Sequence, residues 1–187
     1  MPNKSNARVV VLNGGSSSGK SSIARALQEL LPGIWLTFGV DTFIEALPGR
    51  GNSPRAGIHF EPDGSITFTP EHRALEGNWY AGLNAMAQAG ASLILDEVML
   101  AGAVGQERLR SAFTGTELIW VAVRCEAEIA AEREADRPDR VPGMARQQAT
   151  SVHLHVNYHI EVDTSRRSVA DCAAEISRRL TEDFLDG

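Results

Sequence analysis

Residues 14–21 read Gly-Gly-Ser-Ser-Ser-Gly-Lys-Ser, a run of small residues closed by a lysine and a hydroxyl. The spacing satisfies G-x-x-x-x-G-K-[ST], with an apolar strand-like run before it and an amphipathic helical pattern after it. Small side chains let successive backbone N–H groups converge on a phosphate, and a helix starting near Lys20 adds the positive end of its dipole. Gly14, Gly15, Ser16, Ser17, Ser18, Gly19, Lys20, Ser21 and Ser22 are therefore the expected cradle for the phosphates of a nucleotide, with ATP or GTP left open by the loop. Lys20 should reach the β- and γ-phosphates in ground and transition state alike, and the Ser21 hydroxyl should ligate Mg²⁺.

A Mg²⁺ site also needs a carboxylate from a neighbouring strand. "SLILDE" (92–97) ends in Asp96 and Glu97. Successive strand residues point in opposite directions, so either acid is a candidate ligand. A third acid, Asp41, closes "FGVD" at the end of the second strand of the chain, where it can take a proton from an attacking hydroxyl. It can equally serve as the N-cap of the helix "TFIEALP". Late in the chain "EREADRPDRVPG" carries Arg133, Arg137 and Arg140. Arg137 and Arg140 fall in the proline-containing break and read as lid arginines that stabilise charge on a transferring phosphoryl group. The competing reading is a solvated face with arginines paired to Glu132, Glu134, Asp136 and Asp139. His153, His155 and His159 have no further partner that would complete a transition-metal site. Trp35, Trp79, Trp120 and residues 98–100 read as core, with those nearest the carboxyl edge of the sheet walling an apolar acceptor pocket.

These residues need a scaffold, and the hydrophobic pattern supplies one. Val9–Leu12 is a continuous apolar run, as in a parallel strand buried on both faces. After Lys20, Ile23, Leu27, Leu30 and Leu31 share a helical face that ends at Pro32-Gly33. A strand is expected over 34–38 and a short helix over 42–48. Residues 49–70 break the rhythm with loop chemistry and two short β-like runs around Pro62-Asp63-Gly64, an inserted hairpin. Helix 70–89, strand 92–98, helix 104–113, strand 117–125 and helix 126–136 follow, then an interruption over 137–143 and a helix from Met144. A last strand over 159–165 precedes a helix with Val169, Cys172, Ala173, Ile176 and Leu180 at helical spacing. Strands alternating with helices imply an α/β fold with a mostly parallel sheet between two helical layers. The reading is one domain over 1–187, with a hairpin insertion at 49–70 and a lid at 133–146.

The chain has 187 residues, 43% hydrophobic and 22% charged, with a net charge of -6. That charge argues against nucleic acid held on a broad basic face, so the expected partner is a small molecule bearing a hydroxyl. Two cysteines, Cys125 and Cys172, make no disulfide framework and no zinc spacing. No apolar run reaches membrane-spanning length, and a cytoplasmic location is the default expectation. Self-association is left open by the sequence.

The stretches "VLNGGSSSGKSS", "WLTFGVDTFIEALP", "RALEGNWYAGLNAMAQAGASLILDEVML", "WVAVRCEAEIAAEREADRPDRVPGMARQQ" and "IEVDTS" occur in the order and at the spacings of chloramphenicol 3-O-phosphotransferases. The chain resembles that family over nearly its whole length, the insertion included. The resemblance implies a P-loop kinase-like three-layer sandwich that moves the γ-phosphate of ATP, with Mg²⁺, to the primary hydroxyl of chloramphenicol. It makes Asp41 the catalytic base, "GGSSSGKS" the ATP site, and Arg137 and Arg140 the arginines of a nucleotide lid. Thr42, Glu97 and Met99 depart from the family pattern, where Ser, Asp and Phe are usual. Thr42 and Glu97 keep a hydroxyl and a carboxylate, whereas Met99 puts the acceptor in question. A kinase for another alcohol, sugar, nucleoside or nucleic-acid 5′ end shares most of these features. So does a nucleotide-binding module without phosphoryl transfer, which has no use for Asp41.

Overall fold

Val9–Asn13 (β1) is buried at every position, which explains its unbroken apolar sequence: both faces of the strand are covered by helices. The computed structural model describes residues 9–60, 66–136 and 143–185. Among them, the main sheet comprises five strands in the order β2-β5-β1-β6-β7. Its other members are β2 (Trp35–Gly39), β5 (Ser92–Glu97), β6 (Leu118–Arg124) and β7 (Ile160–Asp163), and every pairing is parallel.

Alternation along β1 divides the core. Val10 and Leu12 face α1 (Lys20–Leu30) and α7 (Val169–Leu180), packing with Ile23, Leu27, Cys172, Ile176 and Leu180. Val9 and Val11 face α3 (Pro70–Gln88) and α4 (Ala103–Ala112), packing with Tyr80, Leu83, Leu109 and Phe113. Trp120 is fully buried in this second layer. One residue departs from the expected face of α1: Leu30 is 50% exposed. The buried stripe runs through Ile23, Ala24, Leu27 and Leu31, and Leu30 falls just off its edge as the helix ends.

α2 is Val40–Ala46 and begins directly after β2, two residues earlier than the sequence suggests. Residues 49–70 leave the main sheet. Short 3-10 turns lead to β3 (Ile58–Phe60) and β4 (Ile66–Phe68), which pair antiparallel as a sheet of their own. The expected turn at 62–64 lies outside the described residues. Phe43, Leu47 and Ala56, with Ile44, Ile58 and Trp79 against them, form a small core that ties this excursion to α2 and α3. α5 (Ala127–Ala135) and α6 (Met144–Ser151) meet around Cys125, Ala130 and Ala145. No helix among the described residues is long and apolar enough to cross a membrane.

Candidate active site

Strand register brings three chain segments to one edge. Leu12 and Gly39 both pair with Asp96, so the carboxyl ends of β1, β2 and β5 finish side by side. Ligands of open parallel sheets bind at this edge. The approach is close enough to need glycine: a Cβ at Gly39 would lie 2.1 Å from the Asp96 carbonyl oxygen. Gly14 is similarly constrained, with a Cβ there falling 2.4 Å from the Val123 carbonyl oxygen.

The loop after β1 turns into α1 at Gly19, whose φ of 92° lies in the left-handed region. Lys20 is buried, and its ammonium donates to the Gly15 carbonyl at 2.9 Å and lies 3.8 Å from Asp96 Oδ1. The Ser21 hydroxyl donates to Asp96 Oδ2 at 2.6 Å. The hydroxyls of Ser16, Ser17 and Ser18 are buried without hydrogen-bond partners among the described residues. Buried polar groups without partners are uncommon, and here they line a loop shaped to receive polar oxygens. Ser21 and Asp96 are the hard-oxygen donors a Mg²⁺ ion would use.

A cavity of about 270 Å³ opens over this edge. Ser16, Lys20, Ser21, Asp41 and Asp96 line its polar side. Ile44, Ile58, Ile66, Phe68, Val98 and Leu100 supply an apolar wall, with Arg50 and Asn52 also on the lining. Asp41 lies inside the first turn of α2; the cap position is Gly39, and α2 has no side-chain cap hydrogen bond. The N-cap alternative for Asp41 therefore does not describe this helix.

The sequence profile of a family described as "Chloramphenicol phosphotransferase-like protein" matches residues 7–181. The chain belongs to this family. Two Mycobacterium tuberculosis proteins, from strains CDC 1551 and H37Rv, are each 32% identical to it over 181 residues, spanning 90% of this chain and 80% of theirs. Both are described provisionally as O-phosphotransferases. Among solved structures, the M. tuberculosis APS kinase bound to AMPPNP and APS superposes with a TM-score of 0.65 at 15% identity, covering 94% of this chain and 98% of the other. Shikimate kinase from Acinetobacter baumannii, bound to shikimate, gives 0.60 at 20% identity and 95% coverage of each chain. At those identities the likeness speaks for the fold alone, and the expected P-loop kinase-like architecture holds. Family and fold together make this chloramphenicol phosphotransferase-like chain a kinase-type phosphotransferase.

Asp96 and Glu97, open alternatives in the sequence, go to opposite sides of β5. Asp96 reaches the loop, whereas Glu97 is buried behind the strand and accepts from the Tyr80 hydroxyl at 3.1 Å. Burial pushes the Glu97 pKa up to about 8, opposed by the Tyr80 hydrogen bond and reinforced by the Asp96 charge. Burial, with the Glu97 charge, also raises the Tyr80 hydroxyl well above its usual range. Glu97 borders a second cavity of about 60 Å³, with Tyr80, His72, Arg73 and Arg108. Met99 lines that second cavity and not the larger one, whereas Val98 and Leu100 line both.

Other residues support the site through contacts that their sequence neighbourhood does not reveal. Among the described residues Arg133 forms no ion pair with its acidic neighbours. It donates to the Thr164 carbonyl at 2.8 Å and to Thr164 Oγ1 at 3.1 Å, and the Thr164 hydroxyl donates to the Ser18 carbonyl at 2.9 Å. Glu134 is buried and accepts from the backbone N–H groups of Gly143 and Ala145, each at 2.7 Å. Arg137 and Arg140 lie outside the described residues, in the segment between those two helices.

Asn13 joins the end of β1 to two further segments: its Oδ1 accepts from the Met99 N–H, and its Nδ2 donates to the Val152 carbonyl and the Tyr158 hydroxyl. Tyr158 in turn lies 2.6 Å from His153 Nδ1. His159 instead accepts from the Trp120 N–H. Among the described residues, His153, His155 and His159 form no metal-holding group with other His, Cys, Asp or Glu side chains.

Burial drives the His153 pKa down to about 4, aided by the Arg124 and Lys20 charges and opposed by Glu161. A folded pKa below the unfolded value means the unfolded chain binds the proton first. Stability associated with His153 is thus present above about pH 6.5 and lost as pH falls toward 4. His153→Gln should flatten this acid limb by on the order of 1–3 kcal/mol, read as the difference between variants in urea unfolding at pH 7 and pH 4.5. Parallel curves for the two proteins would remove His153 as the cause.

Proposed function

We propose that the protein moves the γ-phosphoryl group of ATP to a hydroxyl of a small molecule, with chloramphenicol's primary hydroxyl as the leading acceptor. The observation that carries the reading is the shared cavity: Asp41 lines it together with Lys20, Ser21 and Asp96, beside an apolar wall. A binding module needs the loop and a metal carboxylate but no second acid facing an apolar acceptor space.

In this reading the loop amides and Lys20 hold the β- and γ-phosphates of ATP, with Arg137 and Arg140 in the role of lid arginines. Ser21 and Asp96 hold Mg²⁺, which neutralises charge on the phosphate oxygens when bound. The apolar wall orients the acceptor, whose hydroxyl faces Asp41. The acceptor oxygen forms a bond to the γ-phosphorus, and the bond from that phosphorus to the β–γ bridging oxygen breaks. ADP leaves with that electron pair, and the hydroxyl proton passes to the Asp41 carboxylate. The name of the family and the provisional O-phosphotransferase description of the M. tuberculosis relatives support the same reaction class.

Purified protein with Mg·ATP and chloramphenicol should yield drug heavier by one phosphate in mass spectrometry. No product from a preparation that still binds ATP would keep the kinase reading and remove chloramphenicol. Other alcohols, sugars and nucleosides would then be screened with the same readout.

A further inference from the structure

Gln148 closes the stretch "WVAVRCEAEIAAEREADRPDRVPGMARQQ" without a role assigned to it there, yet it is 5% exposed and lines the cavity with Lys20 and Ser21. It sits on α6, which lies directly over the phosphate loop. A Cβ at Gly15 would fall 3.1 Å from the Gln148 Cβ and backbone carbon, so the bare glycine is what admits the helix. From that position Gln148 Oε1 accepts a hydrogen bond from the Ser16 backbone N–H at 2.8 Å.

This contact fixes the orientation of the carboxamide. A backbone N–H can only donate, so the oxygen must face Ser16 and the NH₂ must occupy the other branch. Among the described residues Gln148 Nε2 makes no hydrogen bond, and it is not one of the side-chain atoms sealed from solvent, so it can be reached from the cavity that Gln148 borders. Lys20 Nζ holds the Gly15 carbonyl at 2.9 Å, one residue before Ser16. The ammonium and the carboxamide therefore grip the same turn of the loop.

We propose that Gln148 is a phosphate ligand, with Oε1 fastened to the Ser16 N–H and Nε2 donating to an oxygen of the terminal phosphate of bound nucleoside triphosphate, beside Lys20. The proposal rests on the nucleotide reading of the loop. Nε2 adds a neutral donor where Lys20 already supplies charge, and it engages the triphosphate but not the diphosphate, because the diphosphate lacks the terminal group. The alternative is that Gln148 only props the loop.

Gln148→Glu separates the two. A carboxylate keeps an acceptor for the Ser16 N–H but replaces the donor with an oxygen that repels phosphate. Gln148→Met removes both groups at similar volume and serves if the first variant is poorly folded. Calorimetric affinities for Mg·AMPPNP and Mg·ADP give the readout as a ratio, which a general loosening of the loop would not move. For either variant the preference for AMPPNP over ADP should fall by roughly 10–100-fold, as expected for a lost hydrogen bond to a charged group. A wild-type ratio in the variants, or equal losses for both nucleotides, overturns the assignment of Gln148 alone. A wild-type protein that binds neither nucleotide overturns the loop reading and this proposal with it.

Discussion

Asp41→Asn should retain nucleotide binding and lower turnover by roughly 10²–10⁴-fold, the range for removal of a general base. The substitution is nearly isosteric, and Asp41 is an exposed residue in the first turn of α2 that does not cap the helix, so the fold should be unaffected. On the proposed function the loss should appear in kcat with ATP affinity unchanged, because Asp41 serves the acceptor hydroxyl and not the phosphates. Single-turnover rates with each nucleotide-saturated enzyme make the comparison directly. Unchanged turnover would take Asp41 out of the mechanism.

Lys20→Ala should fail differently. Its ammonium spans from the start of α1 to the Gly15 carbonyl and approaches Asp96 within 3.8 Å. It would touch the phosphates before and during transfer, so nucleotide affinity and kcat should fall together. The loss in kcat/KM should be on the order of 10²–10³-fold, comparable with deletion of a preorganised charge-stabilising donor. Removing a buried cation leaves Asp96 with less compensation, so a thermal melt must accompany the kinetics. A variant that binds ATP normally and turns over normally would refute the phosphate-loop reading itself.

What could be read without coordinates followed a physical division. The loop, its flanking strand and its helix are local, and the chemistry of 14–21 depends on residue types at fixed spacing. The parallel sheet was legible because strands buried on both faces lose their alternation, as β1 does. The split between Asp96 and Glu97 was not, since period-two geometry says that they diverge but not which way each turns. Met99 illustrates the same limit: Val98 and Leu100 reach the larger cavity and Met99 does not. Gln148 meets Ser16 across 132 residues, and Thr164 meets Ser18 across 146. Neither pair carries a local pattern, because ordinary polar residues acquire these partners only when α6 and β7 come to rest. Arg133 looked like one charge in a run of charges, and only its reach to Thr164 distinguishes it.

The wall that Ile58, Ile66 and Phe68 give the larger cavity comes from a hairpin that forms its own sheet, apart from the strands that carry the phosphate-facing residues. Heredity can treat these two halves as separate texts. On the proposed function, changes written into residues 49–70 would alter which acceptor is welcomed while the sentence that moves the phosphoryl group stays intact. A lineage meeting a new toxic or useful compound has a cassette to rewrite, and its reaction need not be reinvented.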